Sequence, residues 1–252
     1  MSNLYWLSED QMARLRPFFP RSHGRPRVDD RRVLSGIIFV NRNGLRWCDA
    51  PKEYGPAKTL YNRWKRWGRL GVFARMMEGL ASEAPEQTTI MIDATHLKAH
   101  RTASSLRLKK GGGGRLIGRT KGGMNTKLHA VTDAQGRPIR FFTTAGQVSD
   151  YSGAMALLSS LPKADWLLAD RGYDADWFRD ALKDKGIKVC IPGRKNRKKP
   201  IKHDKRRYKR RNRIEIMFGR LKDWRRVATR YDRCPIVFLS AIALAATVLF
   251  WL

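Results

Sequence analysis

One segment near the end of the chain combines a helical period with an unusual placement of charge. From about Lys205 the sequence predicts a helix whose residues Tyr208, Arg211, Glu215 and Lys222 fall within roughly a 60° arc of one face, at about 100° per residue. Its opposite side carries five apolar residues, namely Ile214, Met217, Phe218, Leu221 and Trp224. A helix with this pattern packs its apolar side and presents the other. The fold must therefore accommodate a docked helix that presents one carboxylate, Glu215, within a basic stripe.

Glu215 also has an ordinary interpretation. A Glu four residues after an Arg on a helix forms a surface pair with it, and such a pair contributes only a few tenths of a kcal/mol. The helix alone does not decide between that pair and a functional carboxylate. The rest of the chain bears on the choice.

The charge of the chain points to its partner. Lys and Arg number 52 against 22 Asp and Glu, which gives a formal charge of +30 over 252 residues, although 42% of the residues are apolar and support a core. This excess is far larger than solubility requires, and its self-repulsion disfavours the compact state unless a polyanion is bound. Nucleic acid is the predicted partner. The densest basic segment, residues 194–213, leads directly into the helix and is interpreted as a phosphate-binding surface rather than a merely solvated one.

The cysteines and apolar runs indicate the compartment. Cys48, Cys190 and Cys234 show neither CxxC nor Cys/His spacing, which argues against a disulfide framework and a structural zinc site. The sequence shows no secretory signal. The apolar run 236–252 is shorter than the usual span of about 18 residues, so it is interpreted as a buried core helix rather than a membrane anchor. We therefore expect a protein of the reducing cytoplasm without a membrane partner.

Residues 1–82 are predicted to form a small helical module. Ser8 and Gln11 have capping-box spacing, and Asp29 or Asp30 can cap a second helix. Residues 57–69 resemble a helix-turn-helix recognition segment, in which basic residues contact DNA phosphates; these are Lys58, Arg63 and Arg66. The interleaved aromatic residues are equally compatible with a core face, so specific DNA reading stays open.

Beyond an acidic stretch at residues 82–87 the period changes from helical to strand-like. Strands are predicted at residues 88–93, 127–133, 138–144, 166–170 and 187–191, with helices at 152–161 and 174–185. Hairpin-linked strands followed by alternating strands and helices indicate an α/β fold with a mixed sheet and flanking helices, in a second domain of residues 83–252. The glycine-rich basic loop at 101–123 lacks the P-loop sequence; it is interpreted as a flexible loop that touches DNA, or as an insertion without function.

Two aspartates follow short apolar strands. Asp93 ends Thr-Ile-Met-Ile-Asp, and Asp170 ends Trp-Leu-Leu-Ala-Asp. Unpaired carboxylates are costly at the edge of a core, although hydrogen-bonded structural aspartates occur there too. With Glu215, they form a set of carboxylates that suits Mg²⁺. Two such ions about 4 Å apart can catalyse an in-line phosphoryl displacement.

The motifs around these acids resemble those of DDE-class insertion-sequence transposases, which have an RNase H-like catalytic core. The resembling segments are Ile-Asp93-Ala-Thr-His96, Gly122-Gly-Met-Asn-Thr-Lys127-Leu-His129, Gly146-Gln-Val-Ser-Asp150 and Ala-Asp170-Arg-Gly-Tyr173-Asp174. The helix fits the pattern Y-x2-R-x3-E-x6-K of that family, through Tyr208, Arg211, Glu215 and Lys222. The resemblance covers nearly the whole chain, including the helical module.

The resemblance implies that Asp93, Asp170 and Glu215 are the catalytic residues and bind metal, with two Mg²⁺ or Mn²⁺ ions as cofactors. Tyr208, Arg211 and Lys222 would position double-stranded DNA. The implied reaction is cleavage at the terminal inverted repeats of the element, after which the 3′-hydroxyls attack target DNA. It also implies a homodimer or higher oligomer on DNA, associated with the nucleoid of a prokaryote.

Two other functions remain compatible with these residues. One is a structure-selective nuclease with the same metal chemistry but no strand transfer, and the other is a DNA-binding relative that has lost catalysis. His96 and His129 are interpreted as structural or DNA-contacting residues rather than metal ligands, because HxH and HExxH spacings are absent. Asp133 is predicted to lie in a turn, and Asp150 and Asp174 are predicted to cap helices.

Overall fold

The computed structural model describes residues 4–21, 29–85, 87–104 and 114–252. Its helices, numbered along the chain, are α1 (Glu9–Leu15), α2 (Asp30–Asn43), α3 (Ala57–Arg69), α4 (Val72–Ser82), α5 (Arg101–Ser104), α6 (Asp150–Leu158), α7 (Asp176–Asp184), α8 (Lys205–Tyr208), α9 (Asn212–Lys222), α10 (Arg225–Ala228) and α11 (Pro235–Ala246). Its strands are β1 (Gln87–Ala99), β2 (Gly118–Thr120), β3 (Gly123–Thr132), β4 (Pro138–Ala145), β5 (Ala164–Leu168), β6 (Lys188–Cys190) and β7 (Thr229–Arg230).

The chain forms two compact units. The first comprises Met1–Leu80, His100–Ser105 and Leu221–Leu252, and the second comprises Ala81–Ala99 and Leu106–Arg220. The last 32 residues thus group with the N-terminal helices, whereas the sequence predicts a second domain of residues 83–252 that includes them. Helix α11 is apolar around most of its circumference, and it buries these side chains by packing against α2, α3 and α10.

The helices of the first unit begin and end at recognisable signals. Ser8 and Gln11 form the predicted capping box, and the side chain of Asp29 accepts a hydrogen bond from the Arg31 amide at 2.9 Å at the start of α2. Gly44 ends α2 in the left-handed region at φ 71°, which favours glycine. The core of this unit contains α11 packed against α2 and α3. Both predicted caps are confirmed.

Helix α3 differs from the predicted recognition segment. Trp64 and Trp67 are fully buried, so these aromatic side chains belong to the core and do not read bases. The connection from α2, residues 44–56, contains two 3-10 turns and is longer than the roughly three- to four-residue turn of a helix-turn-helix motif. The helical module is confirmed, but this connection does not have helix-turn-helix geometry.

The second unit contains a mixed sheet in the order β2-β3-β1-β5-β6, with β4 also paired to β3. Strand β3 is antiparallel to β1, β2 and β4, whereas β5 is parallel to both β1 and β6. Apolar side chains of α6 and α7, including Leu157 and Phe178, pack on a core built from strand residues such as Ile92 and Leu167. The predicted mixed sheet with flanking helices is confirmed.

Two predicted elements have different bounds. Strand β1 continues to Ala99, because residues after Asp93 pair with β3 as far as Lys98 opposite Asn125. Asp93 therefore lies within a strand rather than at its end. The helix predicted from Lys205 is three consecutive pieces, in which the 3-10 turn Lys209–Arg211 separates α8 from α9. The apolar side of α9 is buried as predicted.

Part of the glycine-rich basic loop, residues 105–113, lies outside the described residues. The run at 236–252 is helical and largely buried. Within the part of the chain that the structure describes, no helix has both the length and the apolar character needed to cross a bilayer.

Candidate catalytic site

Strand register brings the two aspartates to neighbouring positions. In the parallel pair β1–β5, Met91 is opposite Leu168. Asp93 and Asp170 each lie two residues further along the chain. Side chains two residues apart on a strand point to the same face, and adjacent strands are about 4.8 Å apart. Asp93 therefore lies on the same face of β1 as Met91. Asp170 follows β5, which ends at Leu168 rather than at residue 170 as predicted, so Asp170 lies in the loop after the strand.

Backbone amides hold both carboxylates. Asp93 Oδ1 accepts a hydrogen bond from the Ala94 amide, and Asp170 Oδ1 accepts one from the Gly172 amide, each at 2.8 Å. Asp170 thereby caps the 3-10 turn Arg171–Tyr173. A Cβ atom at residue 172 would lie 2.9 Å from Asp170 Oδ1, so only glycine fits without a shift. The Asp-Arg-Gly segment is thus explained by the geometry of the turn.

Arg211 connects Asp93 to Glu215. Its Nη1 atom donates to Asp93 Oδ2 at 2.8 Å, and its Nη2 atom donates to Glu215 Oε1. The side chains of Arg211 and Asp93 are only 14% and 17% exposed, whereas Glu215 is 49% exposed. Arg211 and Glu215 form the expected i,i+4 pair. Arg211 also pairs with Asp93, so it joins an acid on β1 to an acid on α9.

The electrostatics of Asp93 reflect these neighbours. Burial raises the pKa of its carboxyl to about 6, although the Ala94 amide and the Arg211 guanidinium act in the opposite direction. The negative charge of Asp170 raises the pKa further.

Tyr173 belongs to the same region, and its type and position in the sequence do not indicate a role. Its side chain is buried, and its hydroxyl has no hydrogen-bond partner among the described residues. Burial and the charges of Asp93, Asp150 and Asp170 raise its pKa well above the usual range. An unsatisfied buried hydroxyl is costly and often marks a position where another group binds. The apolar pattern alone would not reveal it.

The carboxylates fit a divalent cation by chemistry. Three carboxylates offer the hard oxygen ligands that Mg²⁺ and Mn²⁺ accept, and the unpaired Tyr173 hydroxyl lies within the field of two of them. A cationic group, the Arg211 guanidinium, already lies between Asp93 and Glu215. Within the described ranges, no three His, Cys, Asp or Glu side chains are grouped as a ready metal site. The donor set is thus suited to a metal but is arranged around an arginine.

The residues predicted to bind DNA lie in different places. Tyr208 faces Arg211, with the guanidinium carbon 5.7 Å from the ring centre. Lys222 ends α9 in an exposed position and belongs to the first unit. On α3, Lys58 and Arg66 are exposed. The remaining α3 residue, Arg63, is engaged in an ion pair with Asp30 at 3.3 Å.

The two histidines make structural contacts. His96 Nε2 lies 3.0 Å from the Gly146 carbonyl oxygen, and His129 Nε2 lies 2.9 Å from Thr144 Oγ1. Asp133 accepts hydrogen bonds from the backbone amides of Gln135 and Arg137, which confirms its predicted place in a turn.

Two predicted helix caps are wrong. Ser149 caps α6, and Asp150 instead pairs with Lys127 at 3.1 Å. Ala175 precedes α7 without a side-chain cap, because the Asp174 carboxylate is directed at arginines.

Asp174 anchors the basic segment. Its two carboxylate oxygens accept hydrogen bonds from Arg179 Nε at 2.8 Å, Arg197 Nε at 2.7 Å and the Arg194 amide at 2.7 Å. The Arg194 side chain also donates to the Gly172 carbonyl oxygen at 3.1 Å. These bonds tie the start of segment 194–213 to the turn that follows Asp170.

The sequence matches two known families, one for each part of the chain. Residues 7–77 match the family described as "Putative transposase of IS4/5 family (DUF4096)", and residues 84–251 match the family described as "Transposase DDE domain". The second match alone covers well over half of the chain.

Individual proteins give the same result. The chain is 38% identical over 131 residues to the "Putative transposase for insertion sequence element IS6501" of Brucella ovis, covering 51% of this chain and 99% of that protein. It is 29% identical over 156 residues to the "Putative transposase for insertion sequence element IS402" of Burkholderia cepacia, covering 54% of this chain and 72% of that one.

A solved structure confirms the fold. The cryo-EM structure of the piggyBac transposase synaptic complex with hairpin DNA is similar with a TM-score of 0.55 and 9% identity, over 97% of this chain and 72% of that chain. This likeness supports the RNase H-like architecture. The family matches and the named relatives agree. The chain belongs to the DDE transposase family and is an insertion-sequence transposase, a member of a class of metal-dependent polynucleotidyl transferases.

Proposed function

We propose that this transposase binds the terminal inverted repeats of its own insertion sequence, cleaves the DNA at both ends, and transfers the resulting 3′-hydroxyls to target DNA. The observation that carries the proposal is the arrangement of three carboxylates. Asp93 and Asp170 each lie two residues beyond the last residue pair of β1 and β5, and Glu215 is linked to Asp93 through Arg211. An ordinary surface pair would not involve a strand residue 118 positions away.

Asp93, Asp170 and Glu215 would hold two Mg²⁺ or Mn²⁺ ions. When bound, these ions would stabilise the negative charge on the attacking and leaving oxygens of the phosphoryl displacement. The chain itself contributes fixed carboxylates, because the Ala94 and Gly172 amides hold Asp93 and Asp170 in place. Tyr173 contributes a buried hydroxyl that has no hydrogen-bond partner among the described residues.

DNA phosphates would be bound by the basic segment next to this site. Arg194, Arg197, Lys198 and Lys199 line a cleft of about 680 Å³ together with Tyr151 and Trp177. The acids in its lining, Asp174 and Asp176, are already paired with arginines. Lys198 and Lys199 are exposed and pair with no carboxylate in the described ranges, so they are available to phosphate. On the first unit, Lys58 and Arg66 would serve the same purpose.

The same proposal includes the assembly and the setting. Two or more copies would hold the two element ends together, in the cytoplasm of a prokaryote and on its nucleoid. Light scattering of the protein mixed with end-containing duplexes measures the assembly. A single copy on each paired complex would contradict this part of the proposal.

The function is tested by incubating the protein with labelled duplexes that cover both ends of its element, a target plasmid and Mg²⁺. We expect cleavage and joining, and we expect Asp93→Asn, Asp170→Asn and Glu215→Gln each to abolish both. Asp165→Asn, an exposed acid on β5, is the matched control and should retain activity.

The alternatives give different products. Cleavage without joining would indicate a structure-selective nuclease. Binding without cleavage, by a protein that protects both ends in a footprint, would indicate a relative that has lost catalysis.

A further inference from the structure

The contacts of Arg211 suggest a role in addition to DNA positioning. We propose that Arg211 closes the metal site in the DNA-free protein, and that a DNA phosphate withdraws its guanidinium so that a divalent cation can bind Asp93 and Glu215. The inference rests on the metal-dependent reaction proposed above and adds an order to it, in which DNA comes first.

Arg211 uses the oxygens that a metal needs. Asp93 Oδ2 accepts from Arg211, while Asp93 Oδ1 accepts from the Ala94 amide. Each oxygen of this carboxylate therefore already accepts one hydrogen bond, and the one to Oδ2 comes from a cation. Glu215 Oε1 also accepts from Arg211. A divalent cation that binds the same two carboxylates must displace a positive charge, and charge repulsion opposes both being present together.

The position of Arg211 allows it to leave. It ends the 3-10 turn Lys209–Arg211 at the junction of α8 and α9, rather than lying inside a regular helix. One of its two acid partners, Glu215, is about half exposed. Its flat guanidinium can donate two parallel hydrogen bonds to a phosphate as well as to a carboxylate.

The surroundings of Arg211 attract phosphate. The preceding residues, Lys209 and Arg210, are exposed and belong to the same basic segment. A DNA strand drawn to this segment would bring a phosphate to Arg211. The exchange would release Asp93 and Glu215 only when DNA is bound, so that metal binding at these two carboxylates would follow DNA binding.

The metal alone provides the first test. Mn²⁺ is titrated into the DNA-free protein, and the free ion is measured by electron paramagnetic resonance. We expect Arg211→Gln to bind Mn²⁺ at least about fivefold more tightly than the natural protein, within the usual range of coupling between ligands. Arg210→Gln removes the same charge from the adjacent exposed residue and should change the affinity less than about twofold.

Two further variants keep the result interpretable. Asp93→Asn added to Arg211→Gln should abolish the gain, which would assign the measured ion to this site. Arg211→Lys keeps the charge but not the planar fork, so it should give a smaller gain. Circular dichroism and thermal unfolding establish that each variant is folded.

DNA provides the second test, with a short duplex that lacks the terminal repeat. In the natural protein this duplex should tighten Mn²⁺ binding, and Mn²⁺ should tighten duplex binding by the same factor. In Arg211→Gln this mutual effect should be largely lost. These titrations do not depend on turnover, so absence of cleavage would count against the proposed function and not against the inference.

Three results would overturn the inference. Mn²⁺ binding that is unchanged or weaker in Arg211→Gln would mean that Arg211 organises the acids rather than closing the site. An equal gain in Arg210→Gln would indicate a general charge effect. An undiminished mutual effect of DNA and Mn²⁺ in Arg211→Gln would exclude phosphate exchange at this residue.

Discussion

The imidazole ring of His129 stacks on the ring of Phe142, with ring centres 4.4 Å apart and an angle of 10° between the planes. The two residues are direct cross-strand partners of β3 and β4. His129 is fully buried, and its Nδ1 atom has no hydrogen-bond partner among the described residues. Burial therefore lowers its pKa to about 4.

This pKa predicts acid sensitivity. Between pH about 6.5, the ordinary value for histidine, and pH about 4, the unfolded chain binds a proton that the folded chain does not. The free energy of unfolding should fall across that window, by on the order of 3 kcal/mol in total. Urea unfolding at a series of pH values measures it. His129→Gln should flatten the pH dependence, whereas His203→Gln should leave it as steep as in the natural protein.

The same histidine makes Gly153 a sensitive position. A Cβ atom at residue 153 would lie 2.2 Å from His129 Nδ1, so an alanine there must displace the ring. Gly153→Ala should lower the free energy of unfolding by about 1–3 kcal/mol. Gly219→Ala is the control, because nothing lies within 4 Å of its added atom, and in helix α9 it should stabilise by up to about 1 kcal/mol. Equal effects would show that the ring does not occupy this position in solution.

Asp174 should contribute to stability down to low pH. Burial alone would raise its pKa, but hydrogen bonds from Arg197, the Arg194 amide and Arg179 lower it to about 2. Its contribution is complete above its ordinary value of 3.8 and is lost only as the pH falls toward 2. Asp174→Asn should cost about 3 kcal/mol at neutral pH, measured by urea unfolding. The 78% exposed Asp176, which also pairs with Arg197, should cost less than about 1 kcal/mol when changed to Asn.

Tyr173→Phe should separate stability from catalysis. The hydroxyl has no partner in the described part of the chain, so its removal should leave the Tm unchanged or slightly raised. In the proposed reaction the hydroxyl would donate to a charged group held by Asp93 and Asp170, so its removal should lower the cleavage rate roughly tenfold. A clear drop in Tm would mean that the hydroxyl is hydrogen-bonded in the free protein.

Added salt should weaken DNA binding steeply. Two residues of α3 should account for part of this dependence of the binding constant on salt concentration. Each phosphate neutralised contributes about 0.9 to the slope of log K against log salt. Changing exposed Lys58 and Arg66 together to Ala should reduce the slope by up to about 2, measured with a mixed-sequence duplex by fluorescence anisotropy. Arg63→Gln should change it less, because Arg63 already pairs with Asp30.

Local patterns predicted much of this fold. The spacing of apolar residues identified strands β1, β3, β4, β5 and β6 to within a few residues, apart from the extension of β1. It also identified the buried side of α9. These features depend on residues close together in sequence. The extension beyond Asp93 was not predictable in this way, because it depends on pairing with β3 rather than on a continued apolar run.

The caps show the same division. Ser8, Gln11 and Asp29 act within one helical turn, and local spacing was sufficient. Asp174, like Asp29, is an aspartate that lies shortly before a helix. Its contacts are instead determined by donors of three arginines, two of which, Arg194 and Arg197, lie in the segment that follows β6.

Composition and periodicity, which are local properties, were enough to predict the available carboxylates, the buried side of α9 and a strongly basic surface. Three features depended on the fold: Asp93 and Asp170 each follow the last residue pair of β1 and β5, Tyr173 has a buried hydroxyl without a partner among the described residues, and Arg211 joins Asp93 to Glu215. The physical reason is that these contacts join residues far apart in the chain. Strand pairing and packing determine which side chains meet, and no local pattern encodes that choice.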